Sequence, residues 1–77
     1  MVVKLYSTEW CTYCKMVEDF FKENKVKFKN VNVQRNEKAA EEMEEKTGQT
    51  GVPVIEINGK IVIGFNIKKM RKYLKLK

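Results

Sequence analysis

The chain is predicted to be a single α/β domain of order βαβαββα, a mixed four-stranded sheet flanked by helices. Three observations predict it. Short strand-like stretches at 2–6 and 28–33 bracket an amphipathic helical pattern, which makes a βαβ unit. Asn58-Gly59 between two apolar stretches marks a β-hairpin, because both turn positions need positive φ. Two further helical patterns, each opened by an asparagine able to cap, complete the order.

Residues 2–6, Val-Val-Lys-Leu-Tyr, form the first strand. The helix over 12–24 has Val17, Phe20 and Phe21 at helical spacing, with Lys15, Glu18, Asp19, Lys22 and Glu23 outward. Residues 28–33 form a second strand that partly buries Phe28, Val31 or Val33, the register being open. Asn36 caps a helix over 37–47 whose buried side uses Ala39 or Ala40, Met43 and Thr47, and Gly48 stops it. A loop over 49–52 leads into Pro53, and the hairpin strands are 54–57 and 60–63. Gly64-Phe65 breaks the second of these, Asn66 caps, and 67–76 closes the chain as a helix burying Ile67, Met70 and Leu74. The first two strands are expected parallel with a right-handed crossover, and the hairpin adds antiparallel strands. Helices should then cover both faces of the sheet.

Composition narrows the function classes. Seventy-seven residues allow one domain, 1–77, burying somewhat over ~60% of its unfolded surface. There is no histidine, which excludes Cys–His nucleophilic catalysis and imidazole metal sites. Two thiolates alone leave a tetrahedral zinc shell incomplete, so no metal site is expected within one chain. No leader pattern opens the chain and no apolar run nears the ~18 residues of a membrane span, so a soluble, cytoplasmic protein is expected. A monomer is the expected oligomeric state. Net charge is +6, with five glutamates against two lysines over 37–46 and six basic residues and no acid over 66–77. A solvated helix face explains the basic run better than nucleic acid or a membrane surface does.

The chemistry is carried by the two cysteines, Cys11 and Cys14, three residues apart at the start of the first helix. Side chains at i and i+3 on a helix lie about 5–6 Å apart at Cβ, so a small adjustment closes or opens a disulfide. A four-residue ring stabilises the fold by only roughly 2 kcal/mol, which makes a structural staple the weaker reading. Unpaired N–H groups and the helix dipole at this end favour thiolate at Cys11, the form that attacks disulfides. Cys14, one turn in, should be less exposed and should resolve the mixed disulfide.

Cys11-Thr12-Tyr13-Cys14 at a helix start, Thr50-Gly51-Val52-Pro53 before the third strand, and Gly64-Phe65 after the fourth resemble the glutaredoxin branch of the thioredoxin superfamily. The resemblance runs over 2–76 and implies a thioredoxin-like fold and dithiol–disulfide oxidoreductase activity. It implies a cis Val52–Pro53 bond beside the cysteines, with the Val52 backbone free to pair with an extended substrate. Trp10, Thr12, Tyr13, Val52, Pro53, Phe65 and Asn66 are the substrate-binding positions it suggests. Trp10 and Phe65 would make an apolar rim for a protein surface, core packing being the competing reading for Phe65.

Two departures bear on the reductant. Glutathione-using glutaredoxins typically carry a lysine shortly before the cysteines, where this chain has Thr8-Glu9-Trp10. They also carry Gly-Gly and then an acid or serine, where Gly64-Phe65-Asn66-Ile67 stands. Losing a charge-assisted contact costs about 1.5–3 kcal/mol. Gly-Phe resembles the small redoxins recharged by thioredoxin reductase, so the expected partners are disulfide-containing proteins and a reductase of that type. No bound cofactor is expected, and glutathione is the alternative reductant. An iron–sulfur cluster shared between two Cys11 thiolates, and a basic nucleic-acid module, are the remaining alternatives. No residue stands out as the base for Cys14, and water is able to serve.

Overall fold

The computed structural model describes residues 2–75 and has the order β1 (Val3–Ser7), α1 (Thr12–Glu23), β2 (Lys29–Asn32), α2 (Glu37–Thr47), β3 (Val54–Ile57), β4 (Lys60–Ile63), α3 (Ile67–Leu74). The strands lie in the order β2-β1-β3-β4. β1 pairs with β2 in parallel, Leu5 opposite Asn30 and Tyr6 opposite Val31. The other pairings are antiparallel, with Leu5 opposite Ile55 and Ile57 opposite Lys60 across the Asn58-Gly59 turn. This is the mixed four-stranded, thioredoxin-like architecture the sequence predicts.

Alternation along the strands divides the core in two. Val3, Leu5, Ile55 and Ile57 pack with Val17, Phe20 and Phe21 of α1 and with Met70 and Leu74 of α3. Tyr6, Val31 and Val54 point the other way, against Ala39 and Met43 of α2. The register left open in β2 is settled by this division. Phe28 packs against the first cluster, Val31 and Val33 belong with the second, and both faces of the sheet are covered. Complete burial of a side chain such as Phe21 stabilises by about 1.5–3 kcal/mol.

The caps follow the sequence. Asn36 and Asn66 accept from the backbone N–H groups of Ala39 and Lys69, and Gly48 ends α2 in the left-handed region at φ 72°. Boundaries shift slightly: β1 runs one residue later than 2–6, and β2 is shorter than 28–33. Ile67 is a correction, being exposed where burial is expected. A helical side chain leans over the preceding turn, and the first residue of α3 has none to lean on. α3 ends at Leu74, and Leu76, assigned to it from sequence, lies outside the described residues.

Candidate active site

The end of β1 delivers Ser7, and a short loop then carries Thr8, Glu9 and Trp10 to Cys11, the N-cap of α1. Cys11 has extended backbone, and its sulfur accepts the Cys14 backbone N–H at 3.1 Å. The sulfur thus takes the place of the oxygen that normally caps a helix. Cys11 and Cys14 are joined in a disulfide, with Cα atoms 5.2 Å apart. Their environments differ. Cys11 is half-buried, whereas Cys14 is only 2% exposed against the core side of α1.

Around the pair, Trp10 is 88% and Tyr13 61% exposed, large apolar surfaces facing solvent next to the disulfide in sequence. Thr12 is also exposed. Val52–Pro53 is a cis peptide, with Val52 half-buried and Pro53 buried. Pro53 immediately precedes β3, whose Val54 lies opposite Tyr6, so it stands at the end of the sheet from which Ser7 leads to the cysteines. Gly64 N–H donates to the Pro53 carbonyl at 2.9 Å, which holds the end of β4 at the same level. Phe65 is half-buried and packs on the core cluster that the sheet shares with α1 and α3. Asn66 spends its side-chain oxygen on the α3 cap, 3.1 Å from the Lys69 N–H.

Two cavities adjoin the loop, and Thr8 lines both. One, of about 440 Å³, is bordered by both cysteines, Ser7, Lys15, Glu18 and Asn30. Inside it the Ser7 hydroxyl donates to Asn30 Oδ1 at 2.5 Å, and Asn30 Nδ2 donates to Glu18 Oε1. The other, of about 480 Å³, runs toward Thr50 along Glu37, Glu41 and Glu44 over Val33 and Met43. Sequence reasoning missed Ser7, Asn30 and Glu18. The available signal was Asn30, a polar residue on the strand face that Phe28 also occupies. Among the described residues, no group of three or more acids or cysteines is placed to hold a metal. None of their helices is long and apolar enough to cross a membrane.

The glutaredoxin family model matches residues 3–62, which include the cysteine pair, the cis-proline loop and most of the sheet. The chain belongs to the glutaredoxin family. Among its glutaredoxin relatives, an uncharacterized glutaredoxin-like 8.6 kDa protein in the rubredoxin operon of Clostridium pasteurianum is 40% identical over 73 residues, 95% of this chain and 97% of that one. An N-acetyl-S-hydroxy-L-cysteine reductase from Bacillus subtilis is 33% identical over 55 residues, 71% of this chain but 59% of that protein. In three dimensions the fold is similar to a mutant of the thioredoxin-like protein BC3987, with TM-score 0.92 and 25% identity over 97% of this chain and 96% of that one.

Proposed function

We propose that this glutaredoxin-like redoxin is a dithiol electron donor that reduces protein disulfides and is recharged by a thioredoxin reductase-type enzyme. The supporting observation is the asymmetry of the pair: Cys11 is accessible and receives the Cys14 N–H, while Cys14 is buried behind it. A backbone N–H aimed at sulfur favours the anion over the thiol. Cys11 thiolate attacks a substrate disulfide, forming one mixed disulfide and releasing one substrate thiolate. Cys14, once deprotonated, attacks Cys11 sulfur, breaks the mixed bond and releases the second thiolate. Two electrons pass to the substrate, and the Cys11–Cys14 disulfide remains for the reductase to open.

The same reading makes Trp10 and Tyr13 the contact surface for the substrate protein, with the Val52 backbone pairing with its chain beside Pro53. Thr12 borders this contact, and Phe65 and Asn66 act from beneath it through packing and capping. The protein would work as a cytoplasmic monomer without a resident cofactor. Recharging by glutathione is the competing reading. Against it stand Thr8, a neutral residue lining both cavities, and the carboxylates of Glu37, Glu41 and Glu44 along the second. These would repel the carboxylates of glutathione. The deciding experiment couples NADPH oxidation to the protein, with thioredoxin reductase in one arm and glutathione plus glutathione reductase in the other. Turnover in the first arm is expected; turnover confined to the second overturns the assignment of the reductant.

A further inference from the structure

Cys14 poses a problem that the thiol pair does not solve alone. It must lose its proton before it can attack Cys11, yet it is 2% exposed, and burial in apolar surroundings disfavours a thiolate. The helix-end N–H that assists Cys11 comes from Cys14 itself and points at the other sulfur. A proton acceptor must therefore reach Cys14 from the side, through the cavity of about 440 Å³ that it lines.

The charged groups bordering that cavity among the described residues are Glu9, Lys15 and Glu18. Lys15 carries an amine counted as a formal positive charge, not a carboxylate. Glu9 is engaged in an ion pair with Arg35. Glu18 stands four residues after Cys14, hence on the same face of α1 and one turn along. Its carboxylate is held by Asn30 Nδ2, and Asn30 is in turn fixed by the buried Ser7 hydroxyl. Asn30 comes from β2 and Ser7 from β1, so two strands fix the orientation of a helix carboxylate. Lys15 and Lys22 flank Glu18 on its own helix at i−3 and i+4. The cavity is large and polar enough to admit the water that would bridge the remaining gap.

We infer that Glu18 is the proton acceptor for Cys14 during resolution of the mixed disulfide, acting through water in this cavity, with Asn30 and Ser7 as its positioning residues. The proton of the Cys14 thiol passes to water and from water to the Glu18 carboxylate. The sulfur electron pair forms the bond to Cys11 Sγ, and the Cys11–substrate bond breaks with its electrons leaving on the substrate thiolate. The Glu18 proton returns to solvent. No other reactant is required.

The inference rests on the dithiol reading, and stopped-flow reaction of the reduced protein with a chromogenic aryl disulfide separates the two. Release of the first aryl thiolate reports attack by Cys11 and depends on reagent concentration. Release of the second reports attack by Cys14 and does not. Glu18→Gln keeps an acceptor oxygen for Asn30 while losing the basic carboxylate. It is expected to slow the second phase roughly ten- to a hundredfold near neutrality, within the usual span of general-base assistance. The slowed phase should also regain a pH dependence, rising about tenfold per unit for as long as the Cys14 thiol stays mostly protonated. The first phase should hold its rate, and Glu18→Asp should recover part of the second. A second phase unaltered in rate and pH profile by Glu18→Gln overturns the inference, as does equal slowing of both phases. Absence of any second phase in the unaltered protein removes the dithiol reading itself, and this inference with it.

Discussion

Thr8→Lys should turn this protein toward glutathione. Thr8 borders both the cavity holding the cysteines and the acidic one running toward Thr50, so a lysine there can reach a ligand bound in either. A charge-assisted hydrogen bond to a carboxylate contributes about 1.5–3 kcal/mol, which converts to roughly ten- to a hundredfold in affinity. The surroundings reduce that figure. Glu9 and Glu18 border the first cavity and Glu37, Glu41 and Glu44 the second, and they would compete for the new ammonium. Thr8 is also only half-buried, so water screens the contact. The expected gain is therefore about tenfold, the lower end of the range. It is read as kcat/KM for glutathione in the assay coupled to glutathione reductase, with the thioredoxin reductase arm measured beside it. Adding Glu37→Gln and Glu41→Gln should raise the gain further. A Thr8→Lys protein with no greater use of glutathione, although folded and active in the other arm, would refute the argument that a missing cation selects the reductant.

Other outcomes follow from the same geometry. Cys14→Ser should retain attack by Cys11 and accumulate mixed disulfides with substrate proteins, visible on non-reducing gels, whereas Cys11→Ser should abolish turnover. Asn36→Ala removes the side-chain oxygen 3.0 Å from the Ala39 N–H at the start of α2. It should cost about 1 kcal/mol and lower Tm by roughly 4–8 °C in thermal unfolding. Lys46 is held above its ordinary value by the hydrogen bond and ion pair to Glu56, against a smaller opposing effect of burial. A raised lysine contributes stability that is present below its unfolded value and is lost as pH rises through the folded one. Glu56→Gln should thus destabilise the protein slightly at neutral pH, with the difference closing above about pH 10.4 in denaturant titrations.

The fold was legible because most local signals agreed: asparagine caps, Gly48, Asn58-Gly59 and helical spacing of Val17, Phe20 and Phe21 all point to one order. Ile67 misled because periodicity assigns a face to every turn, while burial also needs a neighbour to cover it. The cysteines were legible for a similar reason, since their spacing and the helix start lie within a few residues. Ser7, Asn30 and Glu18 could not be found that way. They come from two strands and a helix, and Ser7 and Asn30 are brought together by a register that no local pattern states.

That register ties the core to the chemistry. Along β1, Leu5 faces α1 and α3, Tyr6 faces α2, and Ser7 returns to the side of Cys14. Opposite them Asn30 and Val31 alternate in step. Sliding β2 by one residue would turn Val31 out of the α2 cluster and would at once remove Asn30 from Ser7 and Glu18. The apolar residues therefore fix, through the strand register, the position of the polar groups beside Cys14. Val31→Ala tests the coupling, since it weakens the packing that sets the register while leaving every polar group in place. Its core cost, set by the loss of two methyl groups at ~0.8 kcal/mol per CH₂, is about 1.5 kcal/mol plus whatever cavity remains. A register that loosens should slow resolution by Cys14 more than attack by Cys11. Slowing of the two phases in equal measure would mean that the sheet supports the site only by keeping the protein folded.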